Sequence, residues 1–330
     1  MRLQNWAAPG QSRRSRLLNG VLGTTWLPFS RVVPDHPAFV RFTRGVVARG
    51  MAVGSPIVPG SVIDRVEVAA TTGPTVRGEW VRNGGTRSDA AVLYIHGSGY
   101  VVCSSRTHRG LTSRISKGTG LPVFSIDYRL APTHRYPAAH EDVRASWNWL
   151  VSEGFDPTRI VVAGDSAGGH LAVSLCLELA REGSPLPAGL VTLSPVIDLS
   201  LRAAGARDRI ERDPFANAKR ARSAVARYAD EEAQRHIGLR IEFDDIDTFP
   251  PALIHAGSRE MLAADATELA RRLRAAGFPV EYRVWPGQMH VFQAMTALLP
   301  ESRVALAEVT RFIGEQVPST TARRLKAVSA

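Results

Sequence analysis

From Val62 onward, short apolar runs rich in β-branched residues alternate with stretches whose apolar positions recur at three- and four-residue spacing. Runs of the first kind suit strands buried on both faces, and stretches of the second kind suit helices laid over a sheet. Their alternation predicts an α/β fold with a mostly parallel sheet flanked by helices. The predicted strands are eight: Val62 to Val68, Val76 to Val81, Ala91 to Ile95, Val123 to Asp127, Ile160 to Ala163, Leu190 to Leu193, Ala252 to His255 and Val280 to Trp285. The predicted helices include Thr107 to Lys117, His140 to Ser152, Ala167 to Arg181, Asp265 to Ala276 and Glu301 to Gln316.

Two stretches break this rhythm. Residues 1 to about 55 lean helical with proline breaks, and residues 201 to about 245 form a charged amphipathic insertion between two strands. An insertion above the carboxyl edge of a sheet is where a lid sits. The expected layout is an N-terminal helical segment (1–55) contributing to a cap, a core of 56–200 and 246–318, a cap insertion (201–245) and a flexible basic tail (319–330). Within the insertion, Phe215 and Tyr228 suit either the lining of a substrate pocket or the interior of the cap.

Composition adjusts this picture only at the edges. With 330 residues and 44% hydrophobic content the chain can bury one large core. The net charge is +10, and only Lys117, Lys219 and Lys326 are lysines, so the excess is arginine. Nucleic-acid binding needs basic residues clustered on one face and interleaved with stacking aromatics. The arginines are instead scattered, and no nucleic-acid partner is expected. The tightest groups, Arg13, Arg14 and Arg16 and then Arg323, Arg324 and Lys326, lie near the ends. Solvated termini account for them, and weak peripheral contact with an anionic membrane surface is the alternative.

Cys103 and Cys176 are the only cysteines, which excludes a disulfide framework, and no Cys/His spacing reads as a metal site. The apolar patch from Leu17 to Phe29 is interrupted by Asn19, Gly20, Gly23 and Pro28, which makes it neither a convincing signal peptide nor a membrane span. A cytoplasmic location is expected, with membrane association left open.

The chemistry concentrates at three places. The run Ile160 to Ala163 leads into Gly164-Asp165-Ser166-Ala167-Gly168-Gly169 and then directly into a helical pattern. A serine on a sharp strand-to-helix turn needs small residues two positions to either side, and Gly164 and Gly168 supply them. Upstream, the strand Ala91 to Ile95 ends in His96-Gly97-Ser98-Gly99-Tyr100. A turn of small residues there can aim backbone N–H groups at a carbonyl oxygen as it turns negative, with the N–H of Ala167 adding another.

A serine hydroxyl also needs a base, and in this fold the chain order is serine, acid, histidine. Of nine histidines only His290 follows the acid candidates. It lies past the last predicted strand, where a loop can lower the imidazole onto the serine. Glu260 is the expected acid because it sits on the loop after Ala252 to His255. Asp265 is held in reserve as the alternative, because it falls in the first turn of the next helix, where a carboxylate is commonly just a cap on free N–H groups. His170 and His255 read as packed residues, and His96 as a shaper of its turn.

Taken together these motifs resemble the hormone-sensitive lipase family of α/β-hydrolases, in its bacterial carboxylesterase and acetyl-hydrolase branch. Asp127-Tyr128-Arg129-Leu130-Ala131-Pro132, Tyr136-Pro137-Ala138-Ala139 with Asp142, and Ser194-Pro195 with Asp198 carry the resemblance further. It covers roughly residues 60 to 316. It implies an α/β-hydrolase core with a helical cap, hydrolysis of short- to medium-chain acyl esters and no metal or organic cofactor. Two positions depart from the family pattern. Ser98 replaces the third residue of His-Gly-Gly-Gly, and Glu260-Met261-Leu262 stands where the family shows Asp-Pro-Leu.

The expected activity is therefore that of a serine carboxylesterase acting on a small-molecule ester, with Ser166, Glu260 and His290 as catalytic residues and Ser98, Gly99 and Ala167 as oxyanion donors. An amidase or lactonase on the same fold is the rival among enzymes. A non-catalytic ligand-binding module is the rival outside them.

Overall fold

Strand β5 (Ile160–Asp165) occupies the middle of the sheet because each of its residues is apolar, small or hydrogen-bonded, and all six are buried. The structure is a computed structural model and describes residues 10–32, 37–69, 73–97 and 99–319. Around β5 stand β1 (Ser61–Val68), β2 (Val76–Asn83), β3 (Ala91–Ile95), β4 (Val123–Ile126), β6 (Gly189–Leu193), β7 (Ala252–Gly257) and β8 (Val280–Trp285). The order is β1-β2-β4-β3-β5-β6-β7-β8. β2 runs antiparallel to both its neighbours, and every other pairing is parallel.

All eight predicted strands are present, with ends displaced by a residue or two. β5 continues through Gly164 and Asp165 to the edge of the site, and β4 stops at Ile126. The placement of β4 between β2 and β3 is a crossover that no local pattern encodes.

Alternate residues of the central strands face opposite layers, as a pleated strand requires. On one face Val92, Tyr94, Val161, Ala163 and Val191 pack against Leu111 and Ile115 of α4 (Ser105–Thr119) and Val309 and Phe312 of α10 (Pro300–Gln316). On the other, Leu93, Ile95, Val162 and Ile254 meet three helices: α5 (Ala138–Ser152) through Val143 and Trp147, α6 (Ser166–Arg181) through Leu171, and α9 (Ala263–Ala275) through Leu269. Each Val, Leu, Ile or Phe among them, fully buried, contributes roughly 1.5–3 kcal/mol relative to exposure. Both layers thus hold the carboxyl edge of the sheet in a fixed place.

The two stretches that broke the sequence rhythm are helical and touch each other. The first contains α1 (Arg13–Thr24), α2 (Trp26–Val32) and α3 (Pro37–Gly54), and the insertion contains α7 (Arg202–Ile210) and α8 (Ala218–Tyr228). Trp26 Nε1–H donates to the carbonyl of Phe215 at 2.8 Å, and the two rings stack with centroids 6.1 Å apart. Arg220 Nε–H donates to the carbonyl of Ser30 at 2.6 Å. Among the described residues no helix is long and apolar enough to cross a membrane. Arg323, Arg324 and Lys326 of the expected basic tail lie outside the described residues.

Candidate active site

β5 ends one residue before Ser166, which opens α6 with φ at +52°. A non-glycine residue in this left-handed region stores about 1–3 kcal/mol of strain and persists only where its surroundings hold it. The surroundings do so: the Ser166 carbonyl accepts the N–H of Val196 at 3.1 Å. A Cβ at Gly164 would overlap the carbonyl oxygen of Gly168, and one at Gly168 the carbonyl oxygen of Ile95. Both glycines are therefore demanded by close backbone approach, as the sequence suggested.

His290 stands in the loop after β8. Its Nε2 is 3.0 Å from Ser166 Oγ, and its Nδ1 is 3.1 Å from Glu260 Oε2. An ionised carboxylate only accepts hydrogen bonds, so Nδ1 carries the proton and Nε2 is left to accept from the serine hydroxyl. Glu260 is fully buried, and its other oxygen accepts the Gly257 N–H at 3.2 Å. The loops bearing the acid and the histidine are laced together: Ser258 N–H donates to the Trp285 carbonyl at 2.9 Å, and Arg259 N–H to the Gln288 carbonyl at 2.9 Å. Val291, with φ at +48°, donates its N–H to Ser194 Oγ at 3.1 Å and so fixes the imidazole from the far side.

Burial alone favours the neutral form of His290. The Glu260 hydrogen bond and charge, with Asp213 and Asp165 farther off, more than offset this and move its pKa above the ordinary imidazole value of 6.5. The imidazole is thus made more basic by its carboxylate neighbours.

The other sequence candidates divide cleanly. Asp265 does not meet His290; its Oδ2 accepts the N–H groups of Ile197 at 2.8 Å and Asp198 at 3.1 Å, holding the loop after β6. Asp165 is buried behind the serine and accepts the Tyr94 hydroxyl at 2.7 Å and the Gly97 N–H at 2.9 Å. The Gly97 N–H is thereby committed. Ser98 lies outside the described residues. Gly99, with φ at +55°, and Ala167 flank the serine in the same cavity. The Ala167 N–H belongs to the first turn of α6, where backbone donors have no partner within the helix. His96 Nδ1 lies 3.3 Å from the Gly97 carbonyl, and its ring stacks on Tyr128 at 4.3 Å, so it shapes the turn. His170 contacts the Leu239 carbonyl, and His255 is buried near Glu308.

The site opens into a cavity of about 310 Å³ whose mostly apolar wall includes Trp26, Phe29, Phe215 and Val225. Phe215 thus lines it. Tyr228 instead is fully buried, stacked on Tyr100 at 4.2 Å and within 2.7 Å of His140 Nδ1. A larger cavity, about 920 Å³, lies beside α5 and α6 around Tyr136 and His236, away from Ser166.

One residue at the centre escaped the sequence reading. Asp213, fully buried in the insertion, brings a carboxylate oxygen to a point where donor atoms of Asp213, Glu260 and His290 all lie within 4.8 Å of one another. The grouping has the size of a cation site, but His290 Nδ1 and Glu260 Oε2 already engage each other. The sequence shows there only an acid before a proline in an arginine-rich stretch, Asp213-Pro214, which does not by itself point to the site.

A central parallel strand ending in a left-handed serine, with an imidazole and a carboxylate delivered by later loops, defines a hydrolase of the α/β type. The family model described as "alpha/beta hydrolase fold" matches residues 92–294. The chain is 35% identical over 269 residues to "Esterase LipU" of Mycobacterium tuberculosis, covering 78% of this chain and 89% of the relative. It is 36% identical over 236 residues to an "Acetyl-hydrolase" of Streptomyces hygroscopicus, covering 71% of this chain and 78% of the relative. Among solved structures, an esterase from the bacterial hormone-sensitive lipase family superposes with a TM-score of 0.82 at 32% identity, over 94% of this chain and all of that one. The chain belongs to the hormone-sensitive lipase family of α/β-hydrolases and is a carboxylic ester hydrolase.

Proposed function

We propose that the protein hydrolyses short- to medium-chain acyl esters, acetyl esters among them, through an acyl-enzyme on Ser166. The observation that carries this reading is the continuous line from Ser166 Oγ to His290 Nε2 at 3.0 Å and from His290 Nδ1 to Glu260 Oε2 at 3.1 Å. As Oγ bonds to the ester carbonyl carbon, its proton passes to Nε2, and Glu260 holds the ring tautomer and steadies the imidazolium. The N–H groups of Gly99 and Ala167, which line the cavity beside the serine, are the donors to the carbonyl oxygen as it becomes negative, and Ser98 is the third donor expected from the sequence. Collapse breaks the bond to the alcohol oxygen, which leaves with the proton from Nε2. A water then gives a proton to His290, attacks the acyl carbon and frees the acid and the serine.

The acyl-length part of the proposal rests on the cavity. Its volume of about 310 Å³ stands at the low end of the roughly 300–1,000 Å³ typical of small-molecule sites. The name of the Streptomyces relative supports acetyl esters within that range.

The test is turnover of p-nitrophenyl esters from acetyl to palmitoyl by wild type, Ser166→Ala and His290→Ala. The expected result is activity highest on short chains, with kcat reduced on the order of 10⁶ in either variant. Equal rates in wild type and Ser166→Ala on every ester would reject the acyl-enzyme. Activity confined to long chains would reject the chain-length assignment alone.

A further inference from the structure

The insertion grips the acid loop from behind at two points. Arg207 of α7 donates through Nε to the Glu260 carbonyl at 2.9 Å and through its terminal nitrogen to the Ser258 carbonyl. Asp213, six residues on, is fully buried with Oδ1 accepting the Phe215 N–H at 2.8 Å. Its Oδ2 has no hydrogen-bond partner. A buried carboxylate oxygen left unpaired is expensive unless it faces a positive charge or holds a proton. Two carboxylates share one imidazole here, so a positive charge on His290 is attracted by both.

We propose that Asp213 is a second positioning carboxylate for His290: it favours the charged imidazole that forms during acylation and substitutes for Glu260 when that residue is removed. The proposal rests on the Ser166 mechanism above.

The ionisable groups around Asp213 support it. Burial is the largest influence and raises its pKa; His290 acts in the opposite direction, Glu260 raises it again, and the result is about 7. Asp213 is thus partly ionised near neutral pH, and a positive charge on His290 favours its ionised form. The loop after β7 contributes Glu260, the loop after β8 contributes His290, and α7 presents Arg207 to the same loop. Like charges crowded into one buried site commonly share a proton in this way. The arrangement also ties His290 to the insertion, through Asp213 beside the ring and Arg207 on the Glu260 carbonyl.

The experiment is a double-mutant cycle read on p-nitrophenyl acetate, with Ser166→Ala as control. Asp213→Asn keeps the shape of the side chain, and Asp213→Ser keeps an oxygen able to accept the Phe215 N–H. Thermal unfolding of both establishes that each is folded. Removing the second negative charge should lower the His290 pKa, so the acid limb of kcat/KM moves toward lower pH by about one unit in both variants, with KM little changed. In a Glu260→Ala background the same substitution should cost about ten times more in kcat than it does in wild type, because the substitute acid is then lost. An unmoved acid limb together with strictly additive losses would overturn the role of Asp213. Loss of Ser166 dependence in wild type would overturn the underlying mechanism instead, and the control separates the two.

Discussion

The N–H of Gly97 donates to Asp165 Oδ1 at 2.9 Å, fastening the turn after β3 to the last residue of β5. A Cβ at position 97 would run into the same carboxylate. The turn after β3, which carries the proposed oxyanion donors, and the serine are therefore positioned by one buried side chain, which also takes the Tyr94 hydroxyl and lies 3.4 Å from His108 Nε2. Replacing Asp165 by Ala strands these donors in the interior. The expected effect is a loss of about 3–5 kcal/mol in unfolding free energy and, in the protein that remains folded, a fall of about 10²–10³ in kcat as the oxyanion donors lose alignment. Urea unfolding and kcat on p-nitrophenyl acetate check the two parts separately. A stable Asp165→Ala protein with unchanged kcat would show that the turn is held by other contacts.

Glu260 and Asp265 are both buried carboxylates, but their partners differ. Glu260 meets the imidazole, and Asp265 meets two backbone N–H groups of the loop after β6. Glu260→Gln should lower kcat by about 10⁴ with the fold intact, in line with loss of the tautomer-setting acid in a serine hydrolase. Asp265→Asn should keep kcat within about tenfold and lower stability by about 1–2 kcal/mol, as one acceptor is weakened. Measuring kcat and the unfolding midpoint for both decides it; the reverse ranking of kcat losses would make Asp265 the acid.

The pKa of His290 lies above the ordinary 6.5, because its carboxylate neighbours outweigh burial. A general base works only when unprotonated, so kcat/KM should fall as the pH drops through this raised value. The acid limb is thus expected above pH 6.5 in wild type and lower in Glu260→Gln, where the opposing charge is gone. A limb at or below the free-imidazole value in wild type would contradict the arrangement. The linked stability runs the other way: a charged His290 favours the folded protein below 6.5, and that contribution fades as the pH rises through the folded-state pKa.

Much of this site is legible in the chain because its pieces obey local rules. Gly164 is dictated by the Gly168 carbonyl four residues on, Gly168 by the Ile95 carbonyl of the neighbouring strand's end, and chain order isolates His290. The central strands announce themselves through β-branched runs, since burial on both faces favours apolar residues. What is not legible depends on distant packing. Asp213 reads as an ordinary turn acid in a basic stretch, and only the fold carries it to Glu260. Tyr228 has the same apolar character as Phe215, yet Tyr100 stacks on it and removes it from the cavity. Asp265 had the right residue type at nearly the right place, and the N–H groups that claim it come from a loop almost seventy residues earlier.

The least expected support for the His290 loop comes from the first helix and the residues just before it. The Gly287 carbonyl, three residues before His290, accepts Asn19 Nδ2–H at 2.8 Å and Gln11 Nε2–H at 3.0 Å. Ser15 Oγ–H adds a contact of 3.3 Å to Gln288 Oε1. Asn19 is buried, so an apolar substitute of similar size leaves the carbonyl with one side-chain donor fewer. Asn19→Leu should therefore loosen the histidine loop more than it loosens the sheet. The expected outcome is a fall in kcat of about tenfold, corresponding to about 1.4 kcal/mol in the barrier, with the acid limb of the pH profile unchanged because no charge near His290 is altered. Gln11→Ala, at the more exposed of the two donors, should act in the same direction and more weakly. Joint loss in the double variant should exceed either single loss, since both donors serve one oxygen. Equal kcat in wild type and the double variant would mean that the lacing between the loops after β7 and β8 suffices to hold His290 without the N-terminal helix.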